Sequence, residues 1–271
     1  MTALADRVVL ITGAASGIGR LLALGAAARG ARTVLWDRDQ TGLEKVRAEL
    51  ADRGAVALCH TVDLSDRTAI QAAARHVLEV HGGVDVLVNN AGVVTGKGLV
   101  ASSDEDILRT FAVNALAPIW TTRALLPRML EAGRGHIVTV ASLAGFVGTA
   151  KLVDYCASKH AAVGFDEALR IELRRQGSPV RTTVVGTYYV DTGMFSGVKT
   201  RVGWLLPILD PQRVADRILR AIEHDEQRLI MPWFAYALFP VKLLPIPLVD
   251  WLLDLFGISR NMDEFTGRRG G

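Results

Sequence analysis

The chain has 271 residues, half of them hydrophobic, with 31 basic and 28 acidic side chains and a formal net charge of +3. One α/β domain of this length buries most of its apolar surface, and charges so evenly interspersed form no basic stripe, which excludes nucleic acid as a partner. Two cysteines, Cys59 and Cys156, are too few for a disulfide scaffold, and neither they nor the six histidines fall in a metal-binding spacing, so no metal is expected. The short mixed segment 1–7 reads as neither signal peptide nor anchor, which makes a cytoplasmic location the expectation.

In chain order, the apolar run 8–12 reads as a strand and leads into Thr12-Gly13-Ala14-Ala15-Ser16-Gly17-Ile18-Gly19, after which the alanine- and leucine-rich stretch 17–29 reads as a helix. Glycines there let the backbone approach a pyrophosphate, and the helix N-terminus offers free N–H groups at the positive end of its dipole. Gly13, Ser16, Gly17, Ile18 and Gly19 are therefore candidate cofactor residues, in a G-x-x-x-G-x-G spacing that obeys the same physics as G-x-G-x-x-G. A second strand, 33–36, ends at Asp37, whose carboxylate suits the adenosine ribose hydroxyls of NAD and repels the 2′-phosphate of NADP. Arg38 pulls the other way, and the acid tips the expectation to NAD.

Helix 42–52 and strand 55–62 follow, and then Asp63 and Leu64. Asp63 is placed either for the adenine amino group or to cap the next helix, 67–80. Strand 84–89 closes in Asn89-Asn90-Ala91-Gly92, where amide and small side chains suit a sharp turn beside a ligand, and Asn89 serves structure as readily as contact. The stretch 112–130 is helical, 137–141 is a strand, 153–175 a long helix and 181–185 a sixth strand. Apolar strands separated by helices predict an α/β fold over 1–228: a Rossmann-type, doubly wound parallel sheet covered on both faces, with ligands at the carboxyl ends of its strands.

The chemistry is carried by Ser142, Tyr155 and Lys159. A Y-x-x-x-K step puts both side chains on one helix face, where an ammonium favours the phenolate and draws the phenol down from about 10 toward neutrality. Such a tyrosine exchanges a proton with an alcohol or carbonyl near pH 7, and Ser142 can hold the same oxygen.

Beyond 228 the text changes. The tail, 229–271, is dense in Trp, Phe and Leu, with Pro232, Pro240, Pro245, Pro247 and Lys242 interrupting it before any apolar stretch of about 20 residues accumulates. It is expected to pack on the domain or a partner subunit, to cover an apolar substrate, or to rest peripherally on a membrane.

Together TGAASGIG at 12–19, NNAG at 89–92, Asn114, Ser142 and YCASK at 155–159 resemble the short-chain dehydrogenase/reductase family, over roughly 5–225. Further segments, VLWD at 34–37, GHIVTVAS at 135–142, DTGMF at 191–195 and MPW at 231–233, resemble its branch of retinol dehydrogenases and lipid-droplet 17β-hydroxysteroid dehydrogenases. The resemblance implies Tyr155 as general acid/base, Lys159 holding its pKa down and binding the nicotinamide ribose, Ser142 orienting the substrate oxygen, and Asn114 holding a relay water. It implies cofactor contacts also from Asn90, Ala91, Gly92, Val190 and Thr192, although Thr187-Tyr188 stands where the family has Pro-Gly. The substrate it implies is a lipophilic secondary or allylic alcohol or its carbonyl, walled by Val93, Val94, Leu143, Phe146, Val153 and Met194. A 3-oxoacyl or diketone reductase using NADPH is the alternative, and a non-catalytic NAD-binding protein fits less well with all four catalytic residues present. The Ala-, Leu- and Val-rich helices 112–130 and 153–175 suit the subunit interface of a homodimer or homotetramer.

Overall fold

In a computed structural model, which describes residues 1–201, 203–204 and 206–267, seven parallel strands carry the fold. They are β1 (Val8–Thr12), β2 (Arg32–Asp37), β3 (Ala57–Thr61), β4 (Val86–Asn89), β5 (His136–Val140), β6 (Arg181–Thr187) and β7 (Arg228–Met231), in the order β3-β2-β1-β4-β5-β6-β7. β1 is VVLIT and buried at every residue, the pattern of a strand covered on both faces. Its side chains alternate. Val9 and Ile11 join one core with Leu22, Val46 and Ile218 from helices α1 (Gly17–Ala27), α2 (Gln40–Ala51) and α7 (Pro211–Glu223). Val8 and Leu10 join the opposite core with Ile70, Leu125 and Leu169 from α3 (Arg67–His81), α5 (Ala117–Glu131) and α6 (Val153–Arg175).

The strand order reverses at β1, which pairs with β2 on one side and β4 on the other. The crevice outside the carboxyl ends of these strands is where such sheets bind ligands. The turns that follow Thr12 and Asn89 border it.

The structure adds β7 and α7 to the sequence reading and differs from it at three further places. Helix α4 (Asp104–Phe111) precedes the expected helix, started by a capping box in which the Ser103 hydroxyl accepts from the Asp106 N–H and the Asp106 carboxylate accepts from the Ser103 N–H. The stretch from 112 opens as a π-turn, Ala112–Leu116, before α5 begins. The boundary expected between 228 and 229 falls inside β7, so the tail grows directly from the sheet edge. It continues as a 3₁₀ turn (Trp233–Ala237), α8 (Leu238–Val241) and α9 (Ile246–Leu255). Ala235 is buried, and Leu238 and Phe239 pack with Phe146 and Ile230. Among the described residues no helix is long and apolar enough to cross a membrane.

Candidate active site

The turn after β1 is held backbone to backbone. Gly13 and Gly17 have φ of +66° and +56°, and a Cβ on Gly13 would stand 2.8 Å from the Cα of Ala91. A Cβ on Gly19 would lie 2.0 Å from the Gly13 carbonyl oxygen, so Gly19 serves the packing of helix on turn and does not border the cleft. The Thr12 hydroxyl accepts from the N–H groups of Asn90 (3.0 Å) and Ala91 (3.1 Å), and the Asn90 carboxamide donates to the Thr12 carbonyl at 2.9 Å. Asn89 turns away and binds Thr121 and Thr122, a structural role.

At the far side, the Asp37 carboxylate accepts from the Ala15 N–H at 2.9 Å and from the Asp39 N–H at 3.0 Å. Asp63 accepts from the Ser65 N–H and hydroxyl, which hold its carboxyl below the usual range. The cap of α3 is Asp66, not Asp63. These residues fit a dinucleotide: a backbone cradle, a helix N-terminus and the Asp37 carboxylate border one cleft.

Ser142 follows β5 in extended conformation. Its hydroxyl accepts from the Ala144 N–H at 3.1 Å and donates to the Thr187 carbonyl at 3.3 Å. Gly145 lets this turn press on α6, since a Cβ there would meet the Lys159 carbonyl oxygen at 2.7 Å. Tyr155 and Lys159 stand one helical turn apart and are both buried. The Lys159 ammonium donates to the Val140 carbonyl at 2.9 Å and lies 5.8 Å from the Tyr155 ring centre.

Burial acts on the phenol in the opposite sense to the neighbouring lysine. Burial pushes Tyr155 above the ordinary tyrosine value, against a lowering hydrogen bond with Ser142, and burial alone brings Lys159 down to about 8. Desolvation disfavours whichever form carries charge, here the phenolate and the ammonium alike. Asn114 is buried beside them. Its carboxamide oxygen accepts from the Val93 N–H at 2.8 Å, and its nitrogen donates to the Val93 carbonyl at 2.9 Å and to the Ser158 hydroxyl at 3.1 Å. Ser158 in turn donates to the Tyr155 carbonyl at 2.8 Å, so Asn114 braces the tyrosine through the helix backbone.

One cleft of about 1230 Å³ joins these groups. Gly13, Ser16, Gly17, Ile18, Asp37, Arg38, Asp63, Leu64, Asn90, Ala91 and Gly92 border its dinucleotide end. Ser142, Tyr155, Lys159, Val190 and Thr192 border its middle, with Val93, Val94, Leu143 and Met194 of the expected wall. Two expected wall residues are elsewhere. Phe146 packs against Phe239 under the tail, and Val153 stands exposed at the start of α6. In their place the cleft takes Tyr189, Phe195 and Phe265, and then Leu252, Leu253 and Phe256 from the tail. Phe195 lies in the DTGMF segment with no signal that aims it at the cleft, and covering an apolar substrate is one expectation for the tail, though no tail residue stands out for it.

A family model for short chain dehydrogenases matches residues 7–202. Epidermal retinol dehydrogenase 2 of Mus musculus is 39% identical over 268 residues, 98% of this chain and 87% of that protein. Estradiol 17-beta-dehydrogenase 11 of Mus musculus is 43% identical over 229 residues, 84% of this chain and 76% of that one. Among solved structures, a short chain dehydrogenase/reductase from Burkholderia phymatum in complex with NAD superposes with a TM-score of 0.83 at 30% identity, covering 92% of this chain and 96% of that one. A metagenomic short-chain oxidoreductase in complex with NADP gives 0.70 at 34%, covering 84% and 96%. The matched residues and the superposed fold agree, and the chain belongs to the short-chain dehydrogenase family of NAD(P)-dependent oxidoreductases.

Proposed function

We propose that this protein is an NAD-dependent dehydrogenase that interconverts lipophilic secondary or allylic alcohols and their carbonyl compounds. The observation that carries the reading is the continuity of the cleft, which runs from Ser142, Tyr155 and Lys159 into an arm walled by Leu252, Leu253 and Phe256. Burying hydrocarbon in such an arm gains about 0.8 kcal/mol per CH₂. The retinol and estradiol dehydrogenases it resembles bear names of lipophilic substrates.

The nicotinamide ring, when bound, supplies or accepts the hydride. The chain supplies position and the proton. In carbonyl reduction the Tyr155 hydroxyl gives its proton to the nascent alkoxide, Ser142 holds that oxygen, and the Lys159 ammonium stabilises the phenolate left behind. In oxidation the phenolate takes the alcohol proton. Asn114 positions Tyr155 through Ser158. Asp37, facing the ribose end, favours NAD over NADP.

Two further features belong to this reading. The outer faces of the tail expose Trp233, Leu243, Ile246 and Trp251, which supports peripheral contact with a membrane from which an apolar substrate would arrive. Helices α4, α5 and α6 expose Leu108, Ile119 and Ile171, which supports a homodimer or homotetramer, to be checked by light scattering.

The test is steady-state turnover with NAD and NADP over a panel of retinoid, steroid and aryl alcohols. Wild type should turn over apolar substrates with NAD preferred. Tyr155→Phe should lose about 10²–10⁴-fold in kcat yet bind NAD as before. No turnover of any lipophilic alcohol or carbonyl, or unchanged kcat in the variant, would sink the reading.

A further inference from the structure

The last described residues lie across the cleft. The N–H groups of Thr266 and Gly267 donate to the Ser196 carbonyl at 2.9 and 3.3 Å, and the Thr266 hydroxyl donates to it at 3.2 Å. The Lys151 ammonium lies 3.1 Å from the Asp263 carboxylate, and the Lys199 ammonium 2.6 Å from that of Glu264. Asn261, 3% exposed, meets the Tyr188 hydroxyl at 2.7 Å. With its carboxamide turned so that the oxygen accepts there, the nitrogen donates to the Gly257 and Lys199 carbonyls at 2.6 and 3.0 Å. Gly197, at φ +86°, permits the crossing, because a Cβ there would stand 2.1 Å from the Glu264 carbonyl oxygen.

Phe265 sits at the centre of this crossing. Its ring covers Gly96 in the loop after β4, where a Cβ would lie 2.1 Å from its Cε1. On its other side it is 6.4 Å, centre to centre, from Phe195 in the loop after β6, and Phe195 is 5.9 Å edge-to-face from Tyr155. The two lips of the cleft therefore meet through one ring, two aromatic contacts from the reacting phenol. Phe265, Thr266 and Gly267 all border the cleft.

We propose that residues 261–267 form a strap across the cleft and that Phe265 determines how bulky an apolar substituent is accepted beside the reacting carbon. This inference rests on the dehydrogenase reading above. A substrate oxygen held between Ser142 and Tyr155 leaves its carbon substituents to lie against Phe195, and the ring behind Phe195 is Phe265. Cutting that ring back opens room for larger groups, and enlarging it closes the room.

The experiment compares Phe265→Ala, Phe265→Leu and Phe265→Trp with wild type over secondary alcohols of one scaffold and increasing substituent size, each variant checked for an intact thermal transition. The readout is the ratio of kcat/KM for bulky over compact members. It should rise about tenfold or more in Phe265→Ala and fall by a similar factor in Phe265→Trp, since one or two methylenes in an apolar pocket discriminate by that order. Phe265→Leu should fall between wild type and Phe265→Ala and serves as the variant most certain to fold. A ratio that stays at the wild-type value in all three overturns the assignment, even where overall rates drop. Equilibrium binding of the same alcohols, followed by calorimetry, separates the two claims. If wild type turns nothing over, the dehydrogenase reading fails, and the size ratio read from binding still decides the role of Phe265.

Discussion

Tyr155 and Lys159 show how a residue pair legible in sequence acquires its physics only from its surroundings. The spacing announces a shared helix face. It does not announce that the ammonium is bonded to the Val140 carbonyl or that both groups are buried, and it is the burial that reverses the direction of the phenol's shift. Nearness in sequence also misled. Val153 is two residues from Tyr155, about 200° around the helix, and so faces outward. Phe146 is four residues past Ser142 but beyond a 3₁₀ turn, and it points toward the tail. The glycines, Asp37 and the NNAG turn were readable because their chemistry is local to a strand end. A buried acid makes a separate prediction. Asp166 is 1% exposed, its Oδ1 lacks a close hydrogen-bond partner among the described residues, and burial raises its carboxyl to about 7 against the lowering pull of Thr182 and Thr139. A carboxyl raised in the folded state costs stability as pH climbs from the unfolded value of 3.8 through 7, because the unfolded chain releases the proton first. Asp166→Asn should therefore be the more stable protein at pH 8, by an amount on the order of 4 kcal/mol at most, with the advantage fading toward pH 4. Urea unfolding at pH 5 and pH 8 measures it, and an equal difference at both values would refute it.

Among elements, the first six strands were legible because each is an apolar run bounded by turn residues. β7 was not, because RLIM is four residues long and merges into an apolar tail with no change of period. Helix α7 starts on signals that are local to the chain, Asp210 as cap and Pro211 in its first turn. It packs closely on α1, since a Cβ on Gly25 would reach within 2.6 Å of the Leu219 Cδ1, and Leu219 is fully buried. Leu219→Ala should cost about 2–5 kcal/mol in urea unfolding. In that background Gly25→Ala should recover about 1 kcal/mol, because its methyl enters the vacated space and alanine outranks glycine in a helix. Equal effects of Gly25→Ala with and without Leu219 would contradict this packing.

For the whole molecule, the fold follows from alternation of strand and helix, whereas the shape of the substrate arm does not. That arm is made by α9 and the crossing segment, and the crossing segment meets the cleft through contacts far apart in sequence, such as Thr266 with Ser196. α9 also presents Ile246 and Trp251 outward. We expect wild type to sediment with phosphatidylcholine vesicles and the double variant Ile246→Asp, Trp251→Asp to do so about tenfold less, at unchanged turnover of a water-soluble alcohol. Equal sedimentation of the two proteins, or none by wild type, would remove the membrane from the account.

The π-turn at Ala112–Leu116 gives the chain one residue more than a regular helix of that span would hold. Excising one residue would splice α4 and α5 into a single smooth rod. The flanking helices would keep nearly the same faces, because the turn absorbs its extra residue locally, but the residues inside it would be re-aimed. Asn114 would then swing out of register with Val93 and Ser158. The irregularity is an aiming device: the helix gives up a perfect ladder so that one carboxamide points where Tyr155 is braced.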